Sequence, residues 1–123
     1  AMKKKLLIVE DHEDFRLMLK DYIGRQKLSI EVHEASTGEI GLAKASLIKP
    51  DIVLMDINLP QANGLKVAQD IMALLPGCHI IFLTMFDVEV FKKAAEKIKS
   101  AAFIGKDRVY ECLMPVIKKC LED

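Results

Sequence analysis

Residues 51–60 read Asp-Ile-Val-Leu-Met-Asp-Ile-Asn-Leu-Pro, in which a run of four apolar residues ends at the acidic Asp56. Continuous apolar runs of this length are typical of strands in a parallel sheet, because helices cover both faces of such a sheet. Leu6–Val9 and Ile80–Leu83 are runs of the same kind. Segment 51–60 therefore predicts a buried strand with a polar residue at its carboxyl end.

Two weaker strands and five helical stripes complete the pattern. Ile30 and Val32 alternate with polar residues, which is typical of a half-exposed edge strand, and Ala101–Gly105 is a short fifth run. Apolar residues recur at helical spacing between the strands. The stripes are Phe15, Met18, Leu19 and Tyr22; Ile40, Ala43 and Leu47; Val67, Ala68, Ile71, Leu74 and Leu75; Phe91, Ala94, Ala95 and Ile98; and Leu113, Val116, Ile117, Cys120 and Leu121.

This alternation predicts an α/β fold in which residues 1–123 form a single (βα)5 domain. The sheet is expected to be doubly wound, five-stranded and parallel, with strand order 2-1-3-4-5. Because proline is costly inside a helix, the last helix is expected to begin near Tyr110 or later, which keeps Pro115 close to its first turn. Ala1, which precedes Met2, is expected to be a residue left by cloning.

Composition excludes several classes of function. The 123 residues include 18 Lys and Arg and 18 Asp and Glu, so the chain has no net charge to attract nucleic acid. No apolar run approaches the roughly 20 residues of a membrane span. Cys78, Cys112 and Cys120 lie at no metal-ligand spacing and are expected to be reduced thiols in the cytoplasm.

Polar residues follow the strands at the edge where open parallel sheets bind ligands. The first strand ends in Glu10 and Asp11, the third in Asp56, the fourth in Thr84 and the fifth in Lys106. Since the first and third strands are neighbours in the expected order, the three carboxylates should share one crevice. Thr84 and Lys106 should lie at its sides.

Three carboxylates at close range favour a bound cation, and oxygen ligands suit Mg²⁺. A carboxylate can also attack phosphorus to form an aspartyl phosphate, with a lysine and a hydroxyl binding the transferred group. The residues alone leave simpler roles open. Asp11 could be a helix N-cap, Asp56 a turn former and Lys106 a solvated charge, and His12 is expected to be a solvated loop histidine.

The motifs together resemble the receiver domain of bacterial two-component response regulators over essentially the whole chain. The resemblance lies in Leu-Leu-Ile-Val-Glu-Asp-His at 6–12, Asp-Ile-Val-Leu-Met-Asp-Ile-Asn-Leu-Pro at 51–60 with Gly64, Ile-Phe-Leu-Thr at 81–84 and Phe-Ile-Gly-Lys at 103–106. It implies a flavodoxin-like fold. It also implies that Asp56 accepts a phosphoryl group from a sensor histidine kinase or a phosphotransfer protein, and that Glu10, Asp11, Asp56 and the backbone carbonyl of Asn58 bind Mg²⁺.

The resemblance implies further roles around the phosphoryl group. Thr84 and Lys106 would contact its oxygens, and Phe103 would be the switch aromatic that turns inward as Thr84 moves. Met85 stands where a small residue is usual and would hinder access to the phosphoryl group. Asp107 after Lys106 is similar to the class whose output domain is a LuxR-type helix-turn-helix, which implies a role in transcription regulation.

The leading prediction is therefore a signalling domain and not an enzyme, although it would assist its own phosphorylation and dephosphorylation. It would switch a partner-binding surface and could form a homodimer when phosphorylated, without binding nucleic acid or membrane itself. Any output domain would lie outside this chain. The alternatives are a degenerate receiver that binds partners without phosphorylation, an aspartate-nucleophile phosphatase of the haloacid dehalogenase type, and a flavodoxin-like binder of FMN, whose phosphate an acidic loop would repel.

Overall fold

A computed structural model describes residues 3–85, 89, 92, 93, 98 and 102–122. The strands are β1 (Lys4–Val9), β2 (Ile30–Ala35), β3 (Ile52–Asp56), β4 (Asn58–Leu59), β5 (Ala62–Asn63), β6 (His79–Thr84) and β7 (Ala102–Gly105). The helices are α1 (Glu13–Arg25), α2 (Gly38–Ile48), α3 (Gly64–Leu74) and the C-terminal helix (Val109–Leu121), which follows a 3-10 turn at Lys106–Arg108.

Five strands form one parallel sheet in the order β2-β1-β3-β6-β7. Counting only these strands, the order is the expected 2-1-3-4-5, so the predicted fold is confirmed. β2 lies at an edge and is only partly buried, as its alternating sequence predicted. The sequence did not predict the short antiparallel hairpin of β4 and β5, which lies directly after the third strand of the sheet.

The sheet separates two hydrophobic layers because successive residues of a strand point to opposite faces. In β1, Leu7 and Val9 face the layer that contains α2 and α3. Leu6 and Ile8 face the layer that contains α1 and the C-terminal helix. All four side chains are fully buried. This double coverage explains why the central strands are continuously apolar.

The buried face of α2 differs from the prediction. Leu47 is 82% exposed and Ile40 is 42% exposed, so the expected apolar stripe faces outward. The helix instead buries small residues, including Gly41 and Ala45. A Cβ atom on Gly41 would lie 2.9 Å from Cγ2 of Val9, so α2 contacts the sheet where only glycine leaves enough room. Hydrophobic periodicity cannot detect a face made of glycine and alanine.

The start of the C-terminal helix is close to the prediction, but the place of Pro115 is not. The helix begins at Val109 and contains Pro115 in its interior. A proline at this position removes the hydrogen bond to the carbonyl of Glu111, one turn earlier. Both residues are exposed, so water can solvate that carbonyl, while Leu113 on the opposite face is fully buried. Burial of this face therefore outweighs the local cost of the proline.

The remaining predictions concern the fourth helical stripe and the cysteines. Phe91, Ala94 and Ala95 lie outside the described residues, whereas Ile98 is buried in the layer that contains α2 and α3. The three cysteines form no disulfide bond. Burial raises the pKa of the Cys78 thiol to about 12, which makes it unreactive. Within the described ranges, no helix is long and apolar enough to cross a bilayer.

Two glycines offer a matched test of this packing. Gly41→Ala should lower the free energy of unfolding by about 1–3 kcal/mol, because the new methyl group overlaps Val9. Gly24→Ala in α1 should raise it by about 0.5–1 kcal/mol, because nothing lies within 4 Å of the added Cβ and alanine is the better helix former. Urea denaturation measures both values. Equal effects of the two substitutions would contradict the close contact of α2 with β1.

Candidate functional site

Strand register brings the predicted site residues to one edge of the sheet. Val9 of β1 pairs with Met55 of β3, so Glu10 and Asp56 come next on neighbouring strands. On the other side of β3, Thr84 of β6 pairs with Gly105 of β7, and Lys106 follows. The parallel topology thus collects side chains that are far apart in the sequence.

Lys106 is the cation of a buried charge cluster. Its Nζ lies 2.7 Å from Oε1 of Glu10 and 3.5 Å from Oδ2 of Asp56. It also lies 4.9 Å from the ring centroid of Phe15. Glu10 is completely buried, Asp56 is 2% exposed and the Lys106 side chain is 11% exposed. Lys106 is therefore not a solvated loop charge, because charges this deeply buried persist only when they are paired.

The backbone around Asp56 is held against the start of α3. Oδ1 of Asp56 accepts a hydrogen bond from the backbone N–H of Asn58 at 3.1 Å, so Asp56 also closes a turn. The backbone N–H of Gly64 donates to the carbonyl of Ile57 at 2.9 Å. A Cβ atom on Gly64 would lie only 2.1 Å from the carbonyl oxygen of Asp56. Glycine is thus required for α3 to begin this close to the strand end.

The environment raises the pKa of Asp56 to about 7. Burial is the largest cause, since it disfavours the charged carboxylate, and the negative charge of Glu10 adds to it. Lys106 and the hydrogen bond from Asn58 act in the opposite direction. The positive charge of Lys106 thus does not offset the effect of burial and of Glu10 on the Asp56 carboxylate.

The donor set fits a divalent cation. Glu10, Asp11, His12 and Asp56 each offer one ligand atom, and these atoms lie within 4.8 Å of one another. Oδ1 of Asp11 is buried and has no hydrogen-bond partner among the described residues. With all three carboxylates ionised, Lys106 offsets only one of their charges. Two uncompensated charges and an unpartnered buried oxygen are what a bound Mg²⁺ would satisfy.

His12, and not Asp11, is the N-cap residue of α1. Its side chain makes no capping hydrogen bond and is 67% exposed, in line with a solvated loop histidine. Its Nδ1 nevertheless lies 3.4 Å from Oε2 of Glu10 and 3.6 Å from Oδ1 of Asp11. The imidazole therefore stands at the edge of the acidic cluster, a position that adjacency in the sequence did not determine.

Arg16 belongs to the support of the site, and sequence reasoning missed it. One guanidinium N–H donates to the backbone carbonyl of Glu10 at 2.9 Å, and Nε pairs with Oε1 of Glu34 at 3.1 Å. The Arg16 side chain is only 14% exposed. It connects α1, the end of β1 and the edge strand β2. An arginine beside the apolar stripe of α1 carries no periodic signal, so only the packing identifies it.

The remaining predicted residues surround this cluster. Thr84 is completely buried, and Met85, which follows it, is 75% exposed. The half-buried ring of Phe103 stacks on Phe82 of the neighbouring strand, with centroids 5.0 Å apart and planes at 23°. An open cleft of about 500 Å³ adjoins the cluster. The β4–β5 hairpin, Asp11 and Leu65 line this cleft.

Comparison with known proteins identifies the class. Residues 6–118 match the model of the response regulator receiver domain, and the chain belongs to this family. The chain is 36% identical over 121 residues to the chemotaxis protein CheY of Thermotoga maritima, covering 95% of this chain and all of that protein. It is 34% identical over 93 residues to the response regulator protein VraR of Staphylococcus aureus, covering 74% of this chain and 44% of VraR.

Two solved structures extend the comparison. Response regulator TrrA of Thermotoga maritima, solved in complex with Mg²⁺ and BeF, superposes with a TM-score of 0.83 at 27% identity over 95% of this chain and 98% of that chain. A DNA-binding response regulator of the LuxR family from Staphylococcus aureus superposes with a TM-score of 0.82 at 25% identity, with the same coverage of both chains. The protein is thus a receiver domain of a response regulator.

The raised pKa of Asp56 predicts that this carboxylate destabilises the metal-free fold at high pH. Because the folded pKa is about 7 and the unfolded value is about 3.9, the native state holds the extra proton between these values, so stability falls as the pH rises from 4 to 7. In EDTA at pH 8, Asp56→Asn should therefore be more stable than the parent by up to about 4 kcal/mol, at about 1.4 kcal/mol per pKa unit. At pH 4 the difference should be small.

Urea denaturation across this pH range measures the effect. Asp21→Asn is the control, because Asp21 is exposed and pairs with Arg25 at the surface. A stability difference for Asp56→Asn that stays constant from pH 4 to pH 8 would contradict the raised pKa.

The contact of Gly64 with Asp56 gives a second prediction. Gly64→Ala should displace the backbone at Asp56 and Ile57 and weaken Mg²⁺ binding by tenfold or more, because the Cβ of the alanine cannot lie 2.1 Å from the Asp56 carbonyl oxygen. Gly77→Ala should leave Mg²⁺ binding unchanged, since nothing lies within 4 Å of the added atom. Isothermal titration calorimetry measures both affinities. An unchanged Mg²⁺ affinity in Gly64→Ala would show that the position of the Asp56 backbone does not depend on this glycine.

Proposed function

We propose that Asp56 accepts a phosphoryl group from a phosphohistidine of a sensor kinase or a phosphotransfer protein, and that the modification changes a partner-binding surface. The observation that carries this proposal is the position of Asp56. Its carboxylate is buried at the end of a central strand, with Lys106 Nζ 3.5 Å away and two further carboxylates beside it. Asp11 of the same cluster and Ile57, the residue after Asp56, line an open cleft through which a phosphodonor could approach.

We assign the site residues as follows. Glu10, Asp11, Asp56 and the backbone carbonyl of Asn58 would hold Mg²⁺. The ion would offset negative charge on the phosphoryl oxygens. The ammonium group of Lys106 and the hydroxyl of Thr84 would bind phosphoryl oxygens directly, because a buried cation and a donor are most effective where water is excluded.

The transfer requires one nucleophile and no further reactant. An Asp56 carboxylate oxygen forms a bond to phosphorus as the P–N bond of the phosphohistidine breaks, and the electron pair of that bond stays on the imidazole. The signal ends when the aspartyl phosphate is hydrolysed. Water attacks phosphorus, inorganic phosphate leaves and the Asp56 carboxylate is restored. Positioned groups of this chain would assist both steps. Met85, exposed directly after Thr84, would restrict the approach of water.

The switch follows from a change of charge at the buried cluster. Phosphorylation adds about 1.5 to 2 negative charges, so Lys106 would exchange part of its pairing with Glu10 for the phosphoryl group. Thr84 would move toward the same oxygens. Phe103 would then leave its present stacking on Phe82 and turn inward. The altered surface would lie around β7 and the C-terminal helix, where a second copy or another partner could bind.

The output of this receiver is also a proposal. The chain spans less than half of VraR but all of CheY. Asp107 after Lys106 and the similarity to a LuxR-family structure favour a DNA-binding output domain on a longer protein, while residues 1–123 would be one receiver domain that does not itself bind DNA. The three cysteines, which form no disulfide bond, favour a reducing compartment such as the cytoplasm. Family membership argues against the phosphatase and flavodoxin-like alternatives.

Intact-mass spectrometry after incubation with Mg²⁺ and acetyl phosphate tests the phosphoacceptor. The parent should gain the mass of one phosphoryl group, and Asp56→Asn should gain none, because an amide is not a nucleophile toward phosphorus. Asp70→Asn is the matched control, since this carboxylate is 40% exposed and pairs with Lys66 on the same helix, away from the acidic cluster. Met85→Ala should shorten the lifetime of the phosphorylated form if the methionine side chain restricts water.

Two outcomes would contradict the proposal. A phosphoryl group on Asp56→Asn would place the acceptor elsewhere. A parent that binds Mg²⁺ but gains no phosphoryl group would favour the degenerate receiver that binds its partners without phosphorylation.

A further inference from the structure

The imidazole of His12 lies within reach of the metal that the acidic cluster would hold. Nδ1 lies 3.4 Å from Oε2 of Glu10 and 3.6 Å from Oδ1 of Asp11, the buried oxygen that lacks a hydrogen-bond partner among the described residues. Neighbouring ligands of an octahedral ion with bonds of about 2.1 Å are roughly 3.0 Å apart, and opposite ligands roughly 4.2 Å. The four candidate ligand atoms lie within 4.8 Å of one another, so small side-chain rotations suffice.

The His12 side chain makes no capping hydrogen bond that would prevent this. It occupies the N-cap position of α1, where a Ser, Thr, Asp or Asn side chain normally bonds to the first turn, yet it makes no such hydrogen bond. It is 67% exposed, so its ring can rotate without disturbing the core. His33 provides a contrast, because its Nε2 is hydrogen-bonded to Oε2 of Glu31 at 2.8 Å on the edge strand β2.

We propose that His12 is a nitrogen ligand of the receiver's metal site and makes that site prefer Mn²⁺, Co²⁺ and especially Ni²⁺ over Mg²⁺, relative to a site made of oxygen ligands alone. The inference rests on the proposed metal site. Mg²⁺ is a hard ion that prefers oxygen, whereas imidazole affinity rises from Mn²⁺ through Co²⁺ to Ni²⁺. A nitrogen at the edge of three carboxylates therefore changes which ion the site selects.

A competing explanation predicts a different result. If His12 only lies beside Glu10 and Asp11 without binding the metal, its removal should change the affinity for every divalent cation alike. If His12 is a ligand, its removal should weaken binding, and the loss should grow from Mn²⁺ to Ni²⁺. The selectivity between metals thus separates the two roles.

The experiment is calorimetric titration of Mg²⁺, Mn²⁺, Co²⁺ and Ni²⁺ into the parent and into His12→Gln at pH 8. We expect His12→Gln to weaken Ni²⁺ binding by on the order of tenfold or more and to change Mg²⁺ binding by less than about threefold. In the parent, the visible absorption of bound Co²⁺ should differ from that of His12→Gln, because a nitrogen ligand alters the d–d bands. His33→Gln should match the parent with every metal.

Asp11→Asn identifies binding outside the site, including any binding by the half-buried thiols of Cys112 and Cys120. Equal changes for all four metals, or tighter binding in His12→Gln, would overturn the role of His12. Absence of Mg²⁺ binding in the parent would instead overturn the proposed metal site itself. Mg²⁺ binding by His12→Gln shows that this variant is folded, so the two failures are distinguishable.

Discussion

The structure depends on an imbalance of buried charge at the carboxyl end of the sheet. Glu10 and Asp56 are removed from water, and Lys106 is the cation between them, 2.7 Å from one and 3.5 Å from the other. A buried charge is tolerated only when it is paired, and here one ammonium group serves two carboxylates. Burial, together with the negative charge of Glu10, raises the pKa of Asp56, so a bound cation or a proton would supply the positive charge that the site lacks.

This arrangement persists because the backbone around it has little freedom. Glu10 and Asp56 extend neighbouring strands whose register is set by the fully buried pair Val9 and Met55. Gly64 begins α3 against the carbonyl of Asp56, and Arg16 holds the carbonyl of Glu10. In a flexible loop, these like charges would move apart, whereas the fixed strand ends keep them close together. A group attached to Asp56 would therefore interact directly with the charged side chains around it.

The sequence predicted more of the sheet than of the helices. Apolar runs such as Ile52–Met55 and Ile80–Leu83 identified the central strands, because burial on both faces excludes polar residues from them. The same signal failed for α2, whose buried face is made of Gly41 and Ala45 while Leu47 lies outside. The prediction also failed at Pro115, because burial of one face of the C-terminal helix outweighs the unfavourable position of a proline in a helix interior. Periodicity reports which residues are apolar, not how closely a helix approaches its neighbour.

For the site, the sequence by itself determined which residues end the strands and hence that Glu10, Asp11, Asp56, Thr84 and Lys106 meet at one edge. Parallel strands align their carboxyl ends, so this conclusion required only the strand order. Only the tertiary structure decided that Lys106 is buried against Glu10, that Arg16 supports the same residue and that the imidazole of His12 turns toward the carboxylates. These features depend on side-chain directions and packing distances, which arise from contacts between elements and leave no pattern in the order of residues.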